Sequence, residues 1–322
     1  HPAVVEAVAR QVKEAGGTPV IGDSPGGLYN VHVLKSIYQA AGLDKVAERA
    51  GAELNWDVGE VTIPNPNGKL VKSLTITSCC AKADVVISLA KLKTHSMMTM
   101  TGAVKILFGV IPGLKKVEYH QRMPKAEHFA ELLIDIVEAV KPKLSVMDAV
   151  VGMEGDGPSA GTPRQIGAIL ASENPYALDV AAATIIGLEA KQVPTIKAAE
   201  GRGFAASLEQ VEIVGEKPES LIISDFKVPK GFPINFLDGK VPVVLRNLAA
   251  RSLRPRPLFK HDQCIGCADC VRSCPPEALY LNEDKRPVVD LDKCIRCFCC
   301  QELCPRKAVE VKRPWLGRRL FN

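Results

Sequence analysis

At 322 residues, 47% hydrophobic and 24% charged, the chain has the size of two domains and the composition of a soluble globular protein. No run of 18 or more apolar residues occurs, so no membrane span is expected, and a formal charge of +5 gives no support to nucleic-acid binding. Residue 1 is His and a helical pattern starts at once, which points to a natural N-terminus upstream, with room for a targeting segment.

Val4, Val5, Val8 and Val12 share one helical face, and Gly16-Gly17 ends that helix. A short apolar run, Thr18-Pro-Val-Ile21, then breaks into Gly22-Asp23-Ser24-Pro25-Gly26-Gly27. Val33, Leu34, Ile37, Tyr38 and Ala41 resume with a 3.6-residue period, so the order is strand, glycine-rich turn, helix. The turn lacks the G-x-x-x-x-G-K-[ST] pattern of a P-loop. With Gly22, Asp23, Ser24 and Gly26 it reads either as an anion-binding loop built on backbone amides or as a plain tight turn.

Asp84-Val-Val-Ile-Ser-Leu89 reads as a buried strand that releases Lys91, Lys93, Thr94 and His95 into a loop. Thr99-Met-Thr101-Gly-Ala-Val-Lys105 is expected to open the next helix, followed by Ile111-Pro-Gly-Leu-Lys115-Lys116 and Tyr119-His120. Several cations and a helix N-terminus near one spot can bind a carboxylate or phosphate, which makes residues 91–120 the candidate anion site. The plainer reading is a solvated basic loop.

Phe129, Leu132, Leu133, Ile136, Val137 and Val140 form an amphipathic helix from about Ala126, ended by Lys141-Pro142. Leu144-Ser-Val-Met147 is a strand with Asp148 at its tip, and Gly152-Met-Glu154-Gly-Asp156-Gly-Pro158 follows as a loop. Asp148, Glu154 and Asp156 suit a metal or substrate hydroxyls, against the alternative of solvated acids. Gly155-x-Gly157 fails as a dinucleotide fingerprint because Pro158 and a strand at 165–170 follow it; Gly201-Arg-Gly203 fails because a helix precedes it. Residues 175–188 form a helix in which Asp179 is either a first-turn charge or a pocket residue.

Lys91-Leu-Lys-Thr-His95, Thr101-Gly-Ala-Val-Lys105, Phe108-Gly109, Pro112-Gly113 and Asp148-Ala-Val-Val-Gly-Met-Glu154-Gly-Asp-Gly157-Pro158 resemble the family catalogued as domain of unknown function 362, over residues 1 to about 225. Members of that family often carry a ferredoxin module, and the resemblance implies no particular reaction. Thr101-Gly-x-x-Lys105 and Pro112-Gly113 are also similar to the lactate racemase apoprotein family, which implies a two-lobed α/β enzyme acting on a small acid.

Prolines and basic residues thicken between 226 and 257, as in Arg251-Ser-Leu-Arg-Pro-Arg-Pro257, so a linker is expected there. Beyond it, Cys264-Ile-Gly-Cys267-Ala-Asp-Cys270-Val-Arg-Ser-Cys274-Pro275 and Cys294-Ile-Arg-Cys297-Phe-Cys299-Cys300-Gln-Glu-Leu-Cys304-Pro305 both read C-x2-C-x2-C-x3-C-P, and the second repeats the first thirty residues on. This spacing wraps three cysteines round one cubane while the fourth crosses to the other. One [4Fe-4S] cluster is then expected on Cys264, Cys267, Cys270 and Cys304, the second on Cys294, Cys297, Cys300 and Cys274. Zinc sites do not call for a triple followed by C-P, and disulfide frameworks belong to small secreted domains. Over residues 258–311 the stretch resembles the bacterial two-cluster ferredoxin, with a hairpin expected about Asn282-Glu-Asp-Lys-Arg286. Cys299 falls opposite Asp269 in the repeat and is expected to bind no iron. The basic tail at 312–322 mixes cations with large apolar groups and is expected to pack back on its own chain, with docking on a partner or a membrane surface as the alternative.

The expected architecture is an α/β N-terminal domain with a largely parallel sheet, over residues 1–225, and a small C-terminal α+β bacterial ferredoxin-like domain. The expected function is a low-potential iron-sulfur oxidoreductase. Lys91, Lys93, Thr101, Lys105, Asp148 and Glu154 would hold a small anionic substrate while His95 or His120 supplies protons. A redox partner protein is implied. With eight cysteines used as ligands only Cys79, Cys80 and Cys299 remain, which fits a reducing cytoplasm. Two other readings stand beside this one: a non-enzymatic electron-transfer or maturation partner, and a non-redox isomerase with structural clusters.

Overall fold

The computed structural model describes residues 1–204, 207–228 and 255–312; most of the expected linker and all but the first residue of the basic tail lie outside them. α1 (Pro2–Glu14), β1 (Val20–Ile21), α2 (Val31–Ala40), α3 (Leu43–Ala50) and β2 (Glu53–Leu54) come first, with β1 and β2 paired in parallel. β3 (Glu60–Pro64) and β4 (Ser73–Thr77) form an antiparallel hairpin, followed by α4 (Ser78–Lys82). The main sheet takes β5 (Ile87–His95), β6 (Thr99–Thr101), β7 (Leu144–Glu154) and β8 (Thr162–Ser172) in the order β6-β5-β7-β8. Between and after these strands lie α5 (Ala103–Ile106), α6 (Lys115–Arg122), α7 (Ala126–Val140), α8 (Pro175–Ile185) and α9 (Pro194–Glu200).

The domain is α/β, and its main sheet is mixed: β5 and β7 run parallel at the centre, while β6 and β8 pair antiparallel on the flanks. Three local expectations change for the same reason, which is that cross-strand pairing extends strands into segments whose polarity reads as loop. β5 continues through Lys91, Lys93 and His95 because β6 and β7 bond to them. Thr99–Thr101 is a strand rather than a helix start, and the short α5 begins only at Ala103. β7 runs on to Glu154, so Asp148 lies within the strand, opposite Lys91 and Ile169.

Burial along β5 alternates as a strand requires. Ala90 and Leu92 enter one core with Met147, Ala149, Leu178 and Val180, whereas Lys91, Lys93 and His95 belong to the opposite face. A second core surrounds α7, whose Phe129, Leu132, Leu133, Ile134 and Ile136 are fully buried. Each such side chain contributes about 1.5–3 kcal/mol of burial. Phe226, at the start of the expected linker, is itself buried and packs in the core beneath the sheet.

In the C-terminal module β9 (Arg256–Phe259) pairs antiparallel with β12 (Val309–Lys312), and β10 (Leu279–Leu281) with β11 (Pro287–Val289) as the expected hairpin. Short helices at Asp269–Arg272 and Cys299–Glu302 follow the two cysteine loops. The thirty-residue repeat recurs in the backbone: φ is positive at Gly266 and Arg296, at Ala268 and Phe298, and at Glu277 and Lys307.

Candidate functional site

β5 ends where two loops and the C-terminal module meet. Gly155, Asp156, Gly157 and Pro158 fold over the end of the strand, with Ser96 donating to the Gly157 carbonyl from its amide (3.1 Å) and its hydroxyl (2.9 Å). A Cβ on Gly157 would come within 2.0 Å of the Thr94 carbonyl oxygen, so only glycine permits this approach. The same loop receives the module: Gln301 Nε2 donates to the Asp156 carbonyl (3.2 Å), and Ser159 Oγ donates to the Gln301 carbonyl (3.0 Å). From the other side, Gly26 of the glycine-rich loop abuts Leu303, whose Cδ2 a Cβ at position 26 would meet at 2.8 Å.

This docking inserts Glu302 beside His95. His95 is 1% exposed, and its Nδ1 accepts from the Met97 (3.0 Å) and Met98 (3.2 Å) amides. The neutral ring therefore carries its proton on Nε2, which lies 2.8 Å from Glu302 Oε1 in a close contact rather than an aligned hydrogen bond. Burial, assisted by the Lys105 charge, pushes the imidazole down to about 4. Burial also opposes the charge on Glu302, but His95, Lys105 and His120 outweigh it and hold the carboxyl well below the usual range.

His120 completes the wall. It stacks on Phe129 at a ring-centroid distance of 4.4 Å and meets Phe108 edge-on at 5.6 Å, and burial pushes it down to about 4. Its Nδ1 has no hydrogen-bond partner among the described residues. Lys105 Nζ lies 5.9 Å from the Phe108 ring. Burial and the neighbouring Lys105 ammonium lower Lys93, which also feels Glu302. Among the described residues neither the Lys93 nor the Lys105 ammonium has an ion-pair or hydrogen-bond partner. Lys93, His95, Lys105 and His120 thus share one neighbourhood with Glu302, a residue that sequence reasoning did not single out. The repeat carried a signal for it, since the position equivalent to Glu302 is Arg272.

The other expected site residues are engaged elsewhere. Lys91 Nζ pairs with Asp148 Oδ2 at 2.7 Å across the β5–β7 register, and Asp148 is 2% exposed. Thr101 Oγ1 donates to the Lys93 carbonyl (3.3 Å) and ties β6 to β5. Glu154 Oε2 accepts from the Lys227 amide (3.1 Å). In the loop of Gly22, Asp23, Ser24 and Gly26, Ser24 is engaged by a distant segment: Ser24 Oγ accepts from the Gly113 amide (2.9 Å), and Lys116 Nζ donates to the Ser24 carbonyl (2.6 Å) and to Ser24 Oγ (3.1 Å). Burial pushes Lys116 down to about 8. The helix amides proposed for an anion are also taken, for Asp179 Oδ1 and Oδ2 accept from the Ala103 (2.6 Å) and Val104 (3.2 Å) amides.

Two cavities in the C-terminal module test the cluster expectation. One is lined by Cys264, Cys267, Cys270 and Cys304 with apolar neighbours such as Phe259 and Leu281. The other is lined by Cys274, Cys294, Cys297 and Cys300 with Leu279, Val289 and Phe298; Cys299 also borders it. Amides of Gly266, Ala278 and Ala308 point at the sulfurs of Cys264, Cys274 and Cys304 at 3.4, 3.2 and 3.2 Å. Four thiols in an apolar hollow with amide donors to sulfur fit a cubane.

Comparison with known proteins agrees with this geometry. Residues 256–305 match the 4Fe-4S dicluster domain, so the module carries two [4Fe-4S] clusters. The chain is 34% identical over 254 residues to the "Thylakoid-associated protein sll1697" of Synechocystis sp., covering 77% of this chain and 75% of that protein. Among the described residues no helix is long and apolar enough to cross a membrane. Residues 1–184, which hold β5, α5, His95 and His120, match the family described as Domain of unknown function (DUF362), and the chain belongs to that family.

Proposed function

We propose that this protein is an iron-sulfur oxidoreductase that exchanges electrons with a small anionic substrate held by the α/β domain, and with a redox partner protein. The observation that supports it is the insertion of Glu302, between Cys300 and Cys304, among Lys93, His95, Lys105 and His120. In this reading Cys264, Cys267, Cys270 and Cys304 hold one cluster, and Cys274, Cys294, Cys297 and Cys300 the other. The clusters supply single electrons when bound. Lys93 and Lys105 neutralise the substrate's charge, and the low exposure of the site strengthens that attraction. His95 acts as a hydrogen-bond donor through Nε2, since its Nδ1 lone pair is taken by two amides. His120, whose Nδ1 has no hydrogen-bond partner among the described residues, accepts or returns the proton that accompanies reduction. The use of eight cysteines as ligands and only three others fits a reducing cytoplasm.

The test is anaerobic purification with a search for bound metabolites, followed by Lys93→Ala and Lys105→Ala. Each variant should lose about 1.5–3 kcal/mol of ligand binding, the range for hydrogen bonds to charged groups, with both cluster spectra intact. Variants with full turnover would instead favour a protein that only carries electrons.

A further inference from the structure

The thirty-residue repeat supplies an internal control for the C-terminal module. The helix Asp269–Arg272 and the helix Cys299–Glu302 occupy equivalent places beside equivalent cysteine loops, yet their outward residues differ. Arg272 is exposed, and its Nη2 donates to the Cys267 carbonyl (2.8 Å) and pairs with Asp269. Its counterpart is Glu302, and the counterpart of Val271 is Gln301, 1% exposed and bonded to the α/β domain. An arginine serves at the first site, so wrapping a cluster does not call for a carboxylate there. The carboxylate at 302 answers to the α/β domain.

What it meets there is a site short of anions. Lys93 and Lys105 have no ion-pair or hydrogen-bond partner among the described residues; Lys93 feels the fields of Glu302 and, more weakly, of the buried Asp23, and His95 presents Nε2–H to Glu302. The contact of Glu302 with His95 is close but poorly aligned, and the Glu302 side chain keeps 27% of its surface open to solvent. A carboxylate whose inner oxygen is buried but poorly aligned, on a side chain that still reaches solvent, can be exchanged for one that fits better.

We propose that Glu302 occupies the substrate-carboxylate position of the α/β domain, so that the natural ligand is a small carboxylate that displaces Glu302 and loosens the docked Cys299–Glu302 helix. This rests on the anion site proposed above and adds the ligand's class and its competition with the module's own side chain. The competition lowers apparent affinity by the fraction of molecules in which Glu302 is bound. It also couples ligand binding to the position of the redox module, because the same carboxylate takes part in both.

Propionate is the side chain of glutamate as a free molecule and is therefore the probe. On anaerobic holoprotein, calorimetry should find propionate bound at least tenfold more tightly by Glu302→Ala and by Glu302→Gln than by the unaltered protein. Inorganic phosphate, tetrahedral rather than planar, should gain much less. Equal or weaker propionate binding in both variants overturns the proposal, because Glu302 would then be part of the binding machinery or irrelevant to it. An equal gain for phosphate overturns the carboxylate assignment. Tight propionate binding that survives Lys93→Ala and Lys105→Ala in the Glu302→Ala background removes the anion site itself. Binding to none of the proteins removes both. If the variants lose their clusters, hydrogen exchange on the unaltered protein decides: saturating propionate should speed exchange at residues 299–303, and unchanged protection overturns the proposal.

Discussion

Asp179 illustrates how a single buried carboxyl takes over a feature that might otherwise bind ligand. It is 1% exposed and accepts from both leading amides of α5, and a Cβ on Gly102 would meet its Oδ1 at 2.1 Å. Burial pushes it up to about 7, against the two amide bonds that favour its charge. A raised carboxyl binds more protons folded than unfolded, so its contribution to stability is lost as pH rises from about 4 to about 7. Asp179→Asn removes that titration. Thermal melts should therefore show the variant gaining on the wild type from pH 5 to pH 7, by up to about 1.4 kcal/mol per unit, and levelling off above. Parallel curves would mean that Asp179 is ionised throughout. Cys299 is a second case. It is 5% exposed and borders the cavity of Cys274, Cys294, Cys297 and Cys300, yet lies outside the repeated four. Cys299→Ser should keep about eight irons by iron and sulfide analysis. Loss of half the iron would shift the ligand set.

At the scale of elements, α7 acts as a hub through one polar residue in its apolar face. Asp135 is fully buried and accepts from the Lys69 (2.7 Å), Leu70 (2.7 Å) and Val71 (3.0 Å) amides, and from Arg202 Nη1 (2.7 Å). It fastens the β3–β4 hairpin and the end of α9 to the central helix. Asp135→Ala leaves three amides and a guanidinium without their acceptor, and should cost about 3–5 kcal/mol in a denaturant titration. A loss below about 1 kcal/mol would show that water replaces the carboxylate. The apolar period of α7 is plain in its sequence. The need for an acid at 135 is not, because its donors come from a loop and a helix end distant along the chain.

For the whole molecule, the position of the C-terminal module depends on a small contact set: Gln301 with Asp156 and Ser159, Glu302 with His95, and Leu303 with Gly26. Gly157 supports it from beneath, with no room for a methyl group against Thr94. Gly157→Ala must displace the loop that carries Asp156 and Ser159. Hydrogen exchange should then show lost protection at residues 299–303, while the absorbance of both clusters persists. A variant that keeps that protection would show that docking does not need the loop.

Features carried by neighbours along the chain were determined by sequence alone. The cysteine spacing, its thirty-residue repeat, the helices of Pro2–Glu14 and Ala126–Val140, and the hairpin about Asn282 all depend on contacts within a few residues, which periodicity and turn chemistry express directly. Lys93, His95, Lys105 and His120 were legible as a group because they lie close together along the chain, at the end of one strand and just beyond it. Tertiary structure decided which of the polar residues were free. Strand register joined Lys91 to Asp148, the approach of α8 gave the α5 amides to Asp179, and docking of the module brought Glu302 to His95. Each of these pairs charge or hydrogen-bonding groups that lie far apart in the chain, and no local pattern specifies which partner a buried polar group will find.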